Sequence, residues 1–551
     1  MKDDKSPSEL SFRDLSQADK DLVDKMVKGG SGPVTRRDAL KLAMVTGVSL
    51  TVAEQLLTSG KSVMAATPKK GGSLRMASNL HGPNDTLDPI IFTSTIDYTR
   101  GRATYNSLCQ IGEGLVPNPD LAESFEPNKN ATEWTFKIRE GVTFHDGKPL
   151  TADDVVYSMQ RHQGEDSKSV IKSVLESVKE WKKTGPLEVK AILSSPNADL
   201  PVLMGLYQAK IVRNGTTGYV LKADGSLEKN GTGPFVIESF QPGVKSVHVA
   251  NKNYFRDGPN LDGIEITAIT DPVARVNALL AGDMQIIAQI DPQAFRQIDS
   301  SSTAKLLSVP AGLQMGICCL KNSEPGSNSD FVLGMKYIQD RERIVKRVLK
   351  GKGTPGNDHP ISIAHGKDYC NELPIRPYDP DKAKFHFKKS GYTSAELFVA
   401  PVMSGIEDTC LTMQANCAKI GFDLKLKKVP TDGYWGAVWM KEPLNVVSWN
   451  MRPTANSQLA IQFAPGAAWN DTYWNNDRMG ELLKLALAET DPAKRHQYYC
   501  EMETLVHNES GMVIPAFSNV NDGIANNVMG IPQVPTGQVG GSEWPEFVWL
   551  S

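Results

Sequence analysis

Along residues 121–159 the spacing of apolar positions changes from two to about three and a half. Glu133-Trp134-Thr135-Phe136-Lys137-Ile138-Arg139 alternates apolar and polar, which predicts a half-buried strand with Trp134, Phe136 and Ile138 facing a core. Gly141 turns the chain, Val142 to Phe144 predicts a second extended piece, and Asp146-Gly147 a tight turn. Thr151 followed three residues on by Asp154 is a capping-box pair, and Val155, Val156 and Met159 then recur at helical spacing. Alternation returns over Ile264-Glu265-Ile266-Thr267-Ala268 and runs into Asp271-Pro272, the N-cap and first residue of a helix. That helix is predicted to turn Val273, Val276, Leu279 and Leu280 inward and to stop at Gly282. Asp491-Pro492 opens another, with Tyr498, Met502 and Leu505 on one face. Strands and helices alternate without a long linker and without a repeat of about 20–50 residues, so the pattern predicts a large mixed α/β protein in two or more lobes.

The first 70 residues break this pattern. Residues 1–34 are polar and nearly charge-balanced, a leader with too little apolar surface to fold. Thr35-Arg36-Arg37-Asp38-Ala39-Leu40-Lys41 follows, then Leu42 to Ala53 without a charge, then small residues at Val63-Met64-Ala65-Ala66. A basic region, a modest apolar stretch and a small-residue site near Ala65/Ala66 make a cleavable export signal. The uncharged run of 12 residues is too short to span a bilayer, which takes about 20. The paired Arg36 and Arg37 match the twin-arginine type, with the twin-arginine translocase as partner during export. No cysteine lies near the cleavage site, so a soluble periplasmic protein without a lipid anchor is expected.

Composition adds exclusions. With 551 residues, 40% hydrophobic and 22% charged, the chain exceeds what one core usually serves. A net charge of -3 and the lack of basic runs with interleaved aromatics exclude a nucleic-acid partner. The seven cysteines show no CxxC and no Cys/His zinc spacing, so no structural metal is expected. Their odd number leaves a thiol unpaired within the chain, Cys410 and Cys417 stack on one face of a helix, and no pairing can be read. Gly351-Lys352-Gly353-Thr354-Pro355-Gly356 fits G-x-G-x-x-G, but a helix-like run precedes it and Pro355 and Pro360 block a prompt helix after it, so it reads as a turn. P-loop, G-x-S-x-G and H-E-x-x-H patterns are missing. His145, Asp146, Asp153 and Asp154 look catalytic when quoted alone; as a turn and a first helical turn they are scaffolding, with His145 expected to bond its own turn.

Leu121-Ala122-Glu123-Ser124-Phe125-Glu126, Trp134-Thr135-Phe136, Gly141-Val142-Thr143-Phe144-His145-Asp146-Gly147 and Thr151-Ala152-Asp153-Asp154-Val155 together resemble the signature of family 5 extracellular solute-binding proteins. These are the peptide-, nickel- and opine-type receptors of ABC importers. The resemblance continues through Gly231-Thr232-Gly233-Pro234-Phe235, Asn253-Tyr254-Phe255, Asp379-Pro380-Asp381-Lys382-Ala383-Lys384 and Val513-Ile514-Pro515. It implies a type II, flytrap-like bilobal fold with an extra domain in the first lobe. The division it suggests is 67–103, 231–305 and 515–551 for the core of lobe I, 104–230 for the extra domain, and 306–514 for lobe II, after a cleaved 1–66. It further implies a non-catalytic monomer that needs no cofactor and delivers a small solute to a membrane permease and its ATPase.

In dipeptide-binding members a strand ending in tryptophan precedes an acid that pairs with the ligand's amine. Here the segment reads Ser448-Trp449-Asn450-Met451-Arg452-Pro453-Thr454, so Asn450 and Arg452 stand where the acid would be. A guanidinium suits a carboxylate or phosphate, which points to a peptide-like or acidic, carboxylate-bearing solute. The alternative role for Arg452 is an internal pair with an acid such as Asp471. Tyr434, Trp435, Trp469, Asn470 and Asp471 supply aromatics and polar groups for a pocket, and Asp358 and His359 are expected at the cleft as hydrogen-bonding groups. From the other lobe, Thr95 and Asp97 align with the segment that meets peptide backbone in relatives; the competing role there is helix capping. A second reading of the same residues is an exported metal-dependent hydrolase using Asp358, His359 and Asp471, although no nucleophile or metal motif accompanies them.

Overall fold

The computed structural model describes residues 68–78, 85–430, 434–467 and 469–551. Arg36, Arg37 and the cleavage site near Ala65/Ala66 lie outside these residues. Fifteen strands and nine helices carry the argument: β1 (Ser73–Ser78), β2 (Ala122–Pro127), β3 (Glu133–Ile138), β4 (Val178–Gly185), β5 (Glu188–Leu193), β6 (Phe235–Gln241), β7 (Lys245–Ala250) and β8 (Gly263–Ala268). Then come β9 (Ile286–Ile287), β10 (Ala304–Cys319), β11 (Gly353–Pro355), β12 (Ser394–Val399), β13 (Asp423–Lys428), β14 (Leu444–Trp449) and β15 (Met512–Ala525). The helices are α1 (Thr95–Thr104), α2 (Ala152–Gln160), α3 (Pro272–Leu280), α4 (Ser329–Tyr337), α5 (Pro380–Ser390), α6 (Ile406–Lys419), α7 (Ala455–Phe463), α8 (Asp477–Ala488) and α9 (Pro492–Glu509).

Among the described residues an eleven-stranded sheet runs β6-β7-β8-β1-β9-β15-β10-β14-β12-β13, with β11 paired to β15. Its two ends serve separate cores. Leu74, Met76, Phe235, Ile264, Ile266 and Trp544 pack at the β1–β8 end, and Met315, Ile317, Phe331, Phe387, Leu397 and Val446 at the β12–β14 end. Among the described strands, the long β10 and β15 run through both. Ala304–Val309 of β10 pairs with Val520–Ala525 of β15, and Leu313–Met315 with Ala516–Ser518, the register shifting between Val309 and Leu313. The sequence there is Val309-Pro310-Ala311-Gly312. Proline offers no N–H to a ladder and glycine no side chain to pack, so the paired strands are weakest where they cross between the cores.

A second sheet, β2-β3-β5-β4, is antiparallel, and α2 packs on it around Trp134, Phe136, Ile138, Val155, Met159 and Trp181. Thr151 closes the predicted capping box, its backbone N–H donating to Asp154 Oδ2 at 2.8 Å. Asp146 pairs with Arg213 and Asp153 with Lys183, so the acids of this region are structural. His145 differs from expectation. Its ring does not bond its own turn but spans from the Tyr219 hydroxyl (2.6 Å) to the Gly233 carbonyl (2.9 Å), because its backbone is already held on Gly231. Gly233 is needed there: a Cβ would sit 2.4 Å from the Thr104 carbonyl carbon.

Two helical faces need correcting. Val273, expected inward, is 64% exposed, while Arg275 is buried and caps the carbonyls of Ile269, Thr270, Ala288 and Gln289. The sequence reading gave that face to an apolar residue; carbonyls left at the strand ends draw in a guanidinium instead. In α9 the inner face is Arg495, Tyr499, Met502, Glu503 and Val506, with Tyr498 and Leu505 only half-buried. The glycine run turns at Leu349–Lys352 and then continues as β11 against β15. Cys370 and Cys500, whose pairing the sequence left open, form a disulfide; the other five cysteines are buried thiols.

Candidate functional site

β14 ends at Trp449, which pairs in register with Gln314 of β10 just beyond the crossing point. Asn450 to Pro453 then leave the sheet, and Thr454 caps α7 by accepting the Ser457 N–H at 3.1 Å. The backbone N–H of Arg452 donates to Gln458 Oε1 at 2.7 Å, which fixes the residue at the mouth of this strand–turn–helix. Met451 packs with Ile111, Leu115 and Val534 from the β1–β8 side of the molecule, so the segment lies on the seam between the two cores. Gly312 makes this approach possible: it donates its N–H to Met451 Sδ at 3.3 Å, and a Cβ would meet Ser362 Oγ at 2.9 Å.

The tryptophans come together. Ring centroids are 5.6 Å apart for Trp435–Trp439, 6.4 Å for Trp439–Trp469, 6.5 Å for Trp439–Trp449 and 5.9 Å for Trp449–Trp469. Trp435 and Trp469 are 44% and 47% exposed, so the array is a wall with an open face rather than a core. Beneath it, fully buried Asp471 accepts from Nε1 of Trp449 (2.9 Å) and Trp439 (3.3 Å). Burial raises its carboxyl to about 6, against the two indole donors that favour the ionised form.

Arg452 rests with its guanidinium carbon 6.0 Å from the Trp449 ring centroid. Among the described residues no carboxylate lies within ion-pair distance of it, and Asp471, the internal partner weighed from sequence, is engaged by the two indoles instead. Burial pulls its pKa below the ordinary arginine value, with the Tyr98 phenol opposing. Tyr98 sits on α1 at the far side of the seam, stacked on Tyr207 at 4.0 Å. Burial first, then Asp97, push the Tyr98 phenol up to about 12, so it stays a neutral hydroxyl facing the guanidinium.

The remaining candidates divide. Asn450 is exposed beside Arg452 on the same turn. Tyr434 is buried under the wall, its hydroxyl donating to the Val446 carbonyl at 2.8 Å. Asn470 turns inward and donates to the Trp474 carbonyl at 2.6 Å. Thr95 donates to Gln538 Oε1 at 2.7 Å, and Asp97 accepts the Thr93 N–H and the Ser94 hydroxyl, so both hold the start of α1. Asp358 and His359, expected at the cleft, are fully buried elsewhere. Asp358 takes Arg341 Nη2 at 2.7 Å and Arg376 Nε at 3.0 Å, and despite burial these cations with Lys336 hold it below the usual carboxylate range. His359 lies 3.5 Å from Glu503, and burial lowers its imidazole to about 3. The reason for the difference is electrostatic: four cationic or basic side chains from α4, its flanking loops and α9 converge there, and a buried acid is drawn to them.

Tyr98 and Tyr207 were missed. Thr95, Tyr98 and Arg102 share one face of α1 at three- and four-residue steps, a spacing that would have shown Tyr98 pointing with Thr95.

Residues 116–471 match the family model described as bacterial extracellular solute-binding proteins, family 5, middle region. The chain is 25% identical to the dipeptide-binding protein of Escherichia coli K12 over 83% of this chain and 92% of that one. Among solved structures it is similar to HbpA2 from Haemophilus parasuis (22% identity, TM-score 0.75, 87% and 100% of the two chains). It is also similar to the oligopeptide-binding protein AppA from Bacillus subtilis, solved with a nonapeptide (21% identity, TM-score 0.69, 88% and 100%). These likenesses fix the fold as the bilobal, type II periplasmic-binding kind.

Proposed function

Because the chain belongs to the bacterial extracellular solute-binding proteins of family 5, we propose that it is the receptor of an ABC importer for a solute bearing a carboxylate or similar acidic group. The solute's acid meets Arg452 on the β14 side of the seam, its apolar body lies on Trp449 and Trp469, and Tyr98 on α1 closes over it. Contact with both sides at once is what favours the closed arrangement of the lobes, and the closed form is the one a permease accepts. Export past the inner membrane, by the twin-arginine pair Arg36 and Arg37, belongs to the same reading.

One observation carries the ligand's charge: a part-buried guanidinium with no carboxylate partner among the described residues, set against an open aromatic wall. A part-buried guanidinium without a carboxylate leaves charge-assisted hydrogen bonds unmade, and a solute carboxylate would supply them. The hydrolase reading loses its support. Asp358 is occupied by Arg341 and Arg376 and Asp471 by two indoles, and neither joins a group of potential metal ligands among the described residues.

Native mass spectrometry of gently purified mature chain, from residue 67, tests the proposal by comparing wild type with Arg452→Ala. A small acidic compound held by the wild type and lost from a folded variant is the expected result. The same compound held equally by both would make Arg452 structural and remove the case for an acidic solute.

A further inference from the structure

Behind the site, a loop from Ser362 to Glu372 runs from the seam back to α9. At its front, Ala364 packs with Ile111, Leu115 and Met451. At its back, the Cys370 N–H donates to buried Glu503 of α9 at 3.1 Å. Four side chains meet at this anchor. His496 and Cys500 stand four residues apart on one face of α9, and Cys370 and Glu372 stand two apart on the loop. His496 Nε2 is 3.2 Å from Glu372 Oε2 and 3.5 Å from Cys500 Sγ, and Glu372 Oε2 is 3.5 Å from each sulfur. The other imidazole nitrogen, Nδ1, is 2.8 Å from the Lys367 carbonyl. A carbonyl can only accept, so Nδ1 carries a hydrogen; Nε2 donates to the Glu372 carboxylate in this form, and on losing that proton it would offer its lone pair to a cation beside the sulfurs. A ring held through its far nitrogen by a carbonyl is how metal-bound histidines are oriented.

In the disulfide form the sulfurs are bonded to one another. We propose that in the dithiol form Cys370, Cys500, His496 and Glu372 bind a divalent cation of the zinc class, so that the loop is fastened to α9 by a disulfide or by a metal. Bonds of about 2.0–2.3 Å in a tetrahedral shell place ligand atoms about 3.3–3.8 Å apart. The three contacts that involve sulfur and the His–Glu contact lie at or beside that range, and Cys370, Glu372 and Cys500 already group as potential metal ligands; to complete the shell the two sulfurs must part to non-bonded separation and His496 must draw toward Cys370. Two thiolates, an imidazole and a carboxylate are a zinc-type donor set. Glu372 is largely exposed and His496 partly so, which leaves an ion a way in. Sequence spacing could not show this site, because its halves are more than 120 residues apart.

One disulfide, one phosphine and one water give two thiols and one phosphine oxide; binding the cation then releases the two thiol protons. The test uses the mature chain, reduced with a phosphine, freed of it without oxygen, and titrated with cobalt(II) chloride and separately with zinc chloride. One equivalent of cobalt with thiolate charge-transfer and tetrahedral ligand-field bands is expected, displaced by zinc, and none from the disulfide form. Cys370→Ser should abolish the bands, and His496→Ala and Glu372→Ala, both of which keep the cysteines, should weaken cobalt binding by about 10-fold or more. If the reduced chain unfolds without metal, one equivalent of zinc should restore its far-ultraviolet dichroism. Reduced protein that shows no thiolate bands and no rescue overturns the proposal, as do bands that survive a Cys370→Ser/Cys500→Ser double variant, which would belong to the five other cysteines.

Discussion

At the scale of single residues the site turns on where two charges go. Arg452 could be picked from sequence because it replaces an acid at a known place in a strand–turn–helix, and among the described residues it has no carboxylate partner. Asp358 and His359 could not be placed, since nothing local tells a buried acid that Arg341 and Arg376, 17 and 18 residues away, will surround it. Asp471 gives a prediction with a definite sign. Its folded pKa is raised from 3.8 to about 6, so its contribution to stability is fully present below pH 4 and lost as pH rises through 6. For so buried a group the whole change is about 3 kcal/mol. Asp471→Asn keeps an acceptor for the two indoles and cannot ionise. Urea unfolding at pH 4 and pH 7.5 should show the variant gaining on the wild type by most of that amount, about 2.5 kcal/mol, between the two. A gap that does not change with pH would mean Asp471 titrates in the ordinary carboxylate range.

At the scale of elements, local sequence signals decided the scaffold well. The alternation of β3, the N-caps at Asp271 and Asp491 and the capping box at Thr151 stand as read, because each depends on residues a few positions apart. Thr151→Ala should therefore lower stability by about 1 kcal/mol, read as a shift in the urea midpoint, without changing solute occupancy. Helix faces fared less well where a charged residue is buried: Arg275 sits inward on carbonyls of the strand ends flanking its helix, and Arg495 on Asp199 from far along the chain. Gly312 is the element whose role only packing reveals. Gly312→Val would press on Met451 and Ser362, at a cost of about 1–3 kcal/mol, and displace the turn that carries Arg452. Native mass spectrometry should then show reduced solute occupancy in a protein that still folds. Unchanged occupancy would mean the turn is positioned from α7 alone.

At the scale of the whole molecule, the division of labour follows from the two strands that cross. β10 and β15 pair on each side of the crossing, and the wider of their two register breaks, at Pro310–Gly312, falls between the two cores, the other lying at Met315–Ile317. Bending there disturbs the fewest ladder hydrogen bonds, while Arg452 and the tryptophan wall ride on one side and Tyr98 on the other. A solute that joins them stabilises the closed arrangement only by the contacts it makes with both sides. Small-angle scattering of the mature chain should therefore show a smaller radius of gyration with the co-purified solute than after its removal by partial unfolding and refolding. Arg452→Ala should keep the larger value whether or not solute is added. A wild type whose radius does not respond to a solute it demonstrably holds would leave binding intact and remove closure from the mechanism, placing the recognition signal for a permease in the bound surface itself.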